Sequence, residues 1–145
     1  MVTVTIVAIL ASMVLPLTEL SARRSREDEL RASLREIRNA IDAYKLATDE
    51  GRIPRAADAS GYPRNLEVLV EGVPDIRSPD KRRIYFLRRL PRDPMAADTT
   101  LPAAETWGKR SYKSPPDDPQ EGEDIFDIYS LSPRQGLNGV PYREW

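Results

Sequence analysis

Residues 1–17 read MVTVTIVAILASMVLPL and residues 18–48 read TELSARRSREDELRASLREIRNAIDAYKLAT; how these two stretches join decides the fold. The first carries no charge, and the second is densely charged but contains neither Gly nor Pro. Within the second, Leu30, Leu34, Ile37, Ile41 and Tyr44 recur at steps of four and three, the spacing that lines one face of a helix. These five residues are assigned to packing against the rest of the chain. Arg23, Arg24, Arg26, Glu27, Asp28, Arg31, Arg35 and Arg38 fall on the other faces. Arg23–Glu27, Arg24–Asp28 and Asp28–Arg31 have the three- or four-residue spacing at which opposite charges meet. Gly51 and then Pro54 mark the stop. The pattern predicts one helix of about fifty residues, apolar all round in its first third and amphipathic beyond. Pro16 removes a backbone donor, so a kink or local melting is expected there.

At about 1.5 Å per residue, a helix over residues 1–17 spans about 25 Å, against a bilayer core of about 30 Å. Three readings compete for this run. A buried core helix is a poor match to uninterrupted apolarity at a chain end. A secretory signal peptide finds a tolerable cleavage signal at Leu20-Ser21-Ala22, but no basic segment precedes the run and Glu19 sits badly beside such a site. A retained membrane anchor fits the unbroken helical pattern that follows. Three segments result: 1–22, a transmembrane or filament-core helix; 23–50, its amphipathic continuation; and 51–145, a head.

Composition narrows the chemistry. In 145 residues, 22 Lys and Arg face 23 Asp and Glu, a net charge of −1. A balanced chain has no bulk field to hold a polyanion, so nucleic acid is not an expected partner. The chain contains no Cys and no His. That removes disulfides, thiolate sites, the usual neutral-pH general base and the commonest metal ligand, and no enzyme activity is expected. Thirteen Pro against seven Gly predict many fixed turns beyond the helix.

In the head, residues 65–70 are expected to form a short helix stopped by Gly72 and Pro74. Residues 84–87 (IYFL), 107–113 and 125–131 (IFDIYSL) are strand candidates, and the stretches between them read as loops. The expected fold is therefore α+β: the long helix packed against one small antiparallel sheet of about three strands. Lys81-Arg82-Arg83 with Arg88 and Arg89 interleaves Tyr85 and Phe86, and reads as a strand with solvated flanks. The acidic run Asp117, Asp118, Glu121, Glu123 and Asp124 offers oxygen ligands, though its simplest reading is a solvated loop.

Several segments, in order, resemble the type IV pilin superfamily, and within it the major pseudopilins of type II secretion systems. Residues 2–16 (VTVTIVAILASMVLP) are similar to the family's apolar helix, including Ala11, Ser12 and Pro16. Tyr62-Pro63 with Leu66, Glu67 and Leu69 resembles its YPxxLExL segment. Tyr85 through Leu90-Pro91-Arg92-Asp93-Pro94 resembles YLxxLPxDP, Trp107-Gly108 with Ser111 and Tyr112 resembles WGxxYxY, and residues 126–130 (FDIYS) resemble FDVYS. The six residues with which the family's mature helix opens, including its buried Glu, do not stand ahead of Met1. The simplest expectation is a true start upstream, where a leader would be cut by a prepilin peptidase. Six more residues would bring the run to about 34 Å. Residues 95–106 form an insertion relative to the family. The tail, residues 132–145 (SPRQGLNGVPYREW), lacks the Asp-rich loop with which relatives bind calcium, so no cofactor is expected.

The resemblance implies a structural subunit of a secretion pseudopilus. It would sit as a single pass in a bacterial inner membrane with its head in the periplasm. Its partners would be copies of itself, other pseudopilins, and an inner-membrane platform with its ATPase. Arg23, Arg24 and Arg26 just past the apolar run would by charge alone keep the head cytoplasmic, whereas the family places it outside. Val2, Ile6, Ile9, Leu10, Val14 and Pro16 are assigned to the membrane or filament helix, with Thr3 and Thr5 making local polar contacts. Arg23, Arg24, Arg26, Glu27 and Glu29 are assigned to charge pairing between subunits, Arg23–Glu29 in particular. A type IV pilus pilin, and a soluble extracytoplasmic binding module released after Ala22, stand as alternatives.

Overall fold

The structure, a computed structural model, describes residues 2–145; the side chains of Val2 and of residues 13–15 are excepted, so Val2 and Val14 as packing residues lie outside the described residues. One helix, α1, runs from Val2 to Asp49, 48 residues and about 72 Å long. It carries Pro16 inside it, so the proline does not melt the helix. The C-terminus is closed by a pair of reverse hydrogen bonds. Gly51 N–H donates to Thr48 O at 3.0 Å and Arg52 N–H to Ala47 O at 2.9 Å. This motif needs a left-handed residue, and Gly51 supplies it at φ 72° without a Cβ penalty.

The head wraps the second half of α1. Helix α2 spans Glu67–Glu71, its first turn held by Asn65 Oδ1, which accepts from Val68 N–H at 2.9 Å. Strand β1 (Val73–Pro74) pairs antiparallel with β2 (Arg83–Ile84), and β3 (Trp107–Arg110) with β4 (Asp127–Ser130). Short 3-10 turns cover Ala103–Thr106 and Tyr142–Glu144. The result is α+β, but the expected single sheet is two separate two-stranded ribbons. The IYFL run explains the difference. After Ile84 its backbone leaves the ladder, and the N–H groups of Phe86 and Leu87 both donate to Leu69 O, at 3.0 and 2.9 Å. Pairing to the end of α2 satisfies those donors, so no third strand forms.

The core lies between α1 and the β3–β4 ribbon. Leu30, Leu34, Ile37 and Ile41 are buried with Leu66, Leu69, Trp107, Ile125, Ile128 and Tyr142, and Tyr44 packs at the edge. Trp107 Nε1–H donates to Pro91 O at 2.9 Å, which fixes the LPRDP loop over the start of β3. Gly108 faces Tyr129 across the ribbon; a Cβ there would stand 2.3 Å from the tyrosine ring, so the aromatic covers a bare backbone.

Candidate functional site

The head stops short of the first part of α1. Val4, Ile6, Val7, Ile9, Leu10, Leu17 and Leu20 are exposed, Val4 at 72% and Leu17 at 65%. Among the described residues nothing covers this apolar stretch, and the helix is long and apolar enough to cross a membrane. Each such side chain left in water forgoes about 1.5–3 kcal/mol. Seven of them forgo an amount on the order of 10–20 kcal/mol, as much as the whole stability of a typical domain. The stretch therefore has the length and apolarity for a single membrane pass.

Where the apolar stretch ends, the tail is clamped to the helix. Glu27 is 4% exposed. Its Oε1 accepts from Leu137 N–H and from the Tyr142 hydroxyl, both at 2.8 Å, and lies 3.7 Å from Arg23 Nε. Arg23 in turn donates to Gln135 O at 2.5 Å and, at 3.4 Å, to the Tyr142 oxygen. Three turns on, Arg38 donates to Asp127 Oδ1 at 2.7 Å, to Trp145 O at 2.9 Å and to Ile128 O at 3.1 Å. Between them Arg31 stacks on the Trp145 ring, 4.3 Å from its centroid. Helix side chains thus hold a tail that has almost no regular structure of its own. Arg23 and Glu27 are engaged within the chain, while Arg24, Arg26 and Glu29 stay exposed.

A second polar knot ties the LPRDP loop to the ends of β3 and β4. Asp93 is buried; its Oδ2 accepts from Ser130 Oγ at 2.6 Å and its Oδ1 from Met95 N–H at 2.8 Å. Its own N–H donates to Thr106 Oγ1 at 3.0 Å. Burial raises this carboxyl above its ordinary value, against hydrogen bonds from Ser130, Met95 and Leu131 that favour the charged form. A raised folded value means stability fully present below the unfolded value near 3.8 and lost as pH rises through the folded one. Asp93→Asn keeps the shape and removes the titration. Urea denaturation between about pH 4 and pH 8 is expected to show falling stability in the parent and a flatter profile in the variant. Parallel profiles would assign the slope to other groups.

The acidic run does not gather into a site. Asp117, Asp118, Glu121 and Glu123 are exposed, and Asp124 accepts from Ser60 Oγ and from Tyr112 N–H. Among the described residues no three His, Cys, Asp or Glu side chains surround a point a cation could occupy. In the basic cluster, Arg83 donates to Glu71 O and Gly72 O, at 3.2 and 2.8 Å, and Arg82 lies 3.7 Å from Asp80. Two shallow grooves flank the striped part of α1. One, of about 300 Å³, is lined by Arg31, Leu34, Arg35, Arg38, Asn138 and Trp145. The other, of about 390 Å³, is lined by Glu36, Asn39, Ala40, Ala43, Phe86, Leu87 and Arg88.

Sequence reasoning missed the clamp. Glu27 reads as one more charge on a solvated face, and only its spacing from Leu30, Leu34 and Ile37 places it at the edge of the apolar stripe. Tyr142 and Trp145, the two aromatics of the tail, were the available signal for a partner there.

Comparison with family models, with curated proteins and with solved structures finds no match for this chain. What stands is the arrangement itself: a small α+β protein whose long helix is apolar, then amphipathic, and carries a head of small antiparallel sheets, consistent with a membrane-associated structural module.

Proposed function

We propose that this chain is a single-pass membrane subunit of a helical filament of the pseudopilus kind. Its function is mechanical. The observation that carries the reading is the uncovered apolar first part of a helix whose second part is sealed into a head. Lipid covers that stretch in the waiting subunit, and neighbouring copies cover it in a fibre. The ordered likeness of five segments to pseudopilins supports a secretion filament with an extracytoplasmic head.

Moving apolar side chains from lipid to a fibre gains almost nothing hydrophobically, because both surroundings exclude water. Cohesion then rests on packing and on charge pairs just above the membrane, and a near-balanced exchange suits assembly driven by an external motor. One surface meets a different surface on the next copy, so growth does not close.

The reading is tested by reversing two exposed arginines. Arg24→Glu with Arg26→Glu breaks no hydrogen bond or ion pair among the described residues. It is expected to cut sheared or crosslinked fibre about tenfold while the head keeps its denaturation midpoint. Fibre at parental levels from that variant, or a mature chain beginning after Ala22 by mass spectrometry, would overturn it.

A further inference from the structure

We infer that neighbouring copies pack α1 against α1 in one register, with Glu29 and Glu36 of one copy meeting Arg24 and Arg31 of the next. This rests on the filament reading above and specifies its contact.

At about 100° per residue, five exposed charges of α1 lie on two flanks, with Asp42 also on the basic one, Asp28 between the two and Arg26 near the covered face. Arg24, Arg31 and Arg35 lie on one flank, and Glu29 and Glu36 on another about 130° away; the head covers the face bearing Leu30, Ile37 and Ile41. All five charged residues are exposed. Arg24, Arg35, Glu29 and Glu36 make no ion pair or hydrogen bond among the described residues. Arg31 has only an exposed 3.3 Å contact to Asp28 besides its stack on Trp145. Part of each flank borders a groove: that of about 300 Å³ holds Arg31 and Arg35, and that of about 390 Å³ holds Glu36 beside Ala43, with Arg88 on its far wall.

The occupant that fits both flanks is a second copy. Flanks so far apart cannot both face one two-fold partner, so the match is heterologous: basic flank to the neighbour's acidic flank. Copies anchored through the same apolar end stand parallel. For parallel helices the charge pattern selects the axial offset. Glu29 and Arg24 are five positions apart, and so are Glu36 and Arg31. A shift of five residues, about 7.5 Å, therefore forms both pairs at once with no like-charge contact. A shift of two the other way sets Glu36 against Arg38, whose guanidinium is already committed to Asp127, Ile128 O and Trp145 O. A shift of one in the direction of the five opposes Glu29 to Asp28, and a shift of six the other way opposes Glu36 to Asp42.

The chain has no cysteine, so introduced thiols read the register without background. Ser25 and Leu20 are exposed, uncharged and five positions apart. The full chain, carrying Ser25→Cys in one tagged copy and Leu20→Cys in another, is co-expressed in membranes and oxidised. A disulfide-linked dimer is expected from this pair, and about tenfold less from Ser25→Cys with Leu17→Cys. Arg24→Glu with Arg31→Glu, or Glu29→Arg with Glu36→Arg, is expected to reduce the dimer about tenfold in either case. All four changes in one chain restore it. Co-purification of the two tags without the Ser25–Leu20 disulfide, or failure of the fourfold swap to restore it, overturns the register and leaves self-assembly standing. Absence of co-purification overturns both.

Discussion

Glu27→Leu is expected to lower the stability of the chain in detergent by about 3–5 kcal/mol and to free its last residues. The carboxylate is the shared acceptor of the clamp: Leu137 N–H and the Tyr142 hydroxyl both end on Oε1, and Arg23 lies beside it. A leucine fills similar volume but strands two donors in a buried place, each costing about 1–3 kcal/mol. Tyr142 is buried in the core, so its loss of anchorage reaches Trp145, which packs on it at 5.0 Å between centroids. Glu27→Gln retains an acceptor oxygen and is expected to cost about 1 kcal/mol. Denaturant titration measures the first effect. Limited proteolysis measures the second, with new cleavage after Arg134 or Arg143. A leucine variant within about 0.5 kcal/mol of the parent, with a protected tail, would show that the clamp does not hold the tail.

Trp107→Ala is the other large loss, about 3–5 kcal/mol. The indole is 1% exposed and belongs to the buried cluster that α1 and the β3–β4 ribbon share. Removing it opens a cavity in that cluster and leaves Pro91 O without its donor. Trp107→Phe separates the two effects. It keeps most of the buried ring, loses only the hydrogen bond and is expected to cost about 1–2 kcal/mol. Denaturation midpoints and the near-ultraviolet circular dichroism of the folded chain give the ordering. If alanine cost no more than phenylalanine, packing around Trp107 would not be what joins ribbon to helix.

These two variants probe different halves of one design. Trp107 fastens the ribbon to the helix by packing, whereas Glu27, Arg23 and Arg38 fasten the tail by hydrogen bonds. The tail needs the second kind of attachment because its backbone pairs with itself in short pieces: the Gln135–Pro141 bridge, a turn in which Gly139 N–H donates to Gly136 O, and a short 3-10 turn. With so little regular structure to satisfy its polar groups, side chains of α1 supply partners instead. Among the described residues no buried side-chain polar atom lacks a partner. The tail is therefore ordered by the helix, and anything that disturbs residues 23–38 of α1 acts on the tail as well.

The long helix was legible residue by residue. An unbroken run without Gly or Pro from Leu17 to Thr48, a stripe at Leu30, Leu34, Ile37, Ile41 and Tyr44, and a Gly stop are local signals that survive in any tertiary context. The stripe residues lie in or against the core. The strands near Trp107 and Ile128 were legible because β-rich runs between prolines have few other uses. Their ends were not, since only four residues on each side find ladder partners. The IYFL run was misjudged because β propensity describes a side chain's fit to a pleated surface and says nothing of which acceptor its N–H will meet. That acceptor was Leu69 O, contributed by a helix that the sequence places fifteen residues away from Ile84.

The sequence by itself determined that a greasy rod continues into a striped one, because periodicity and the absence of breakers are properties of neighbours along the chain. Only the tertiary structure decided which charges of that rod are spent within the chain and which remain outward. Arg23, Glu27 and Arg38 look no different from Arg24, Glu29 and Arg35 in a list of residues. The first three meet the tail and β4, and the last three meet solvent, because folding brings residues 127–145 against one side of the helix and not the other.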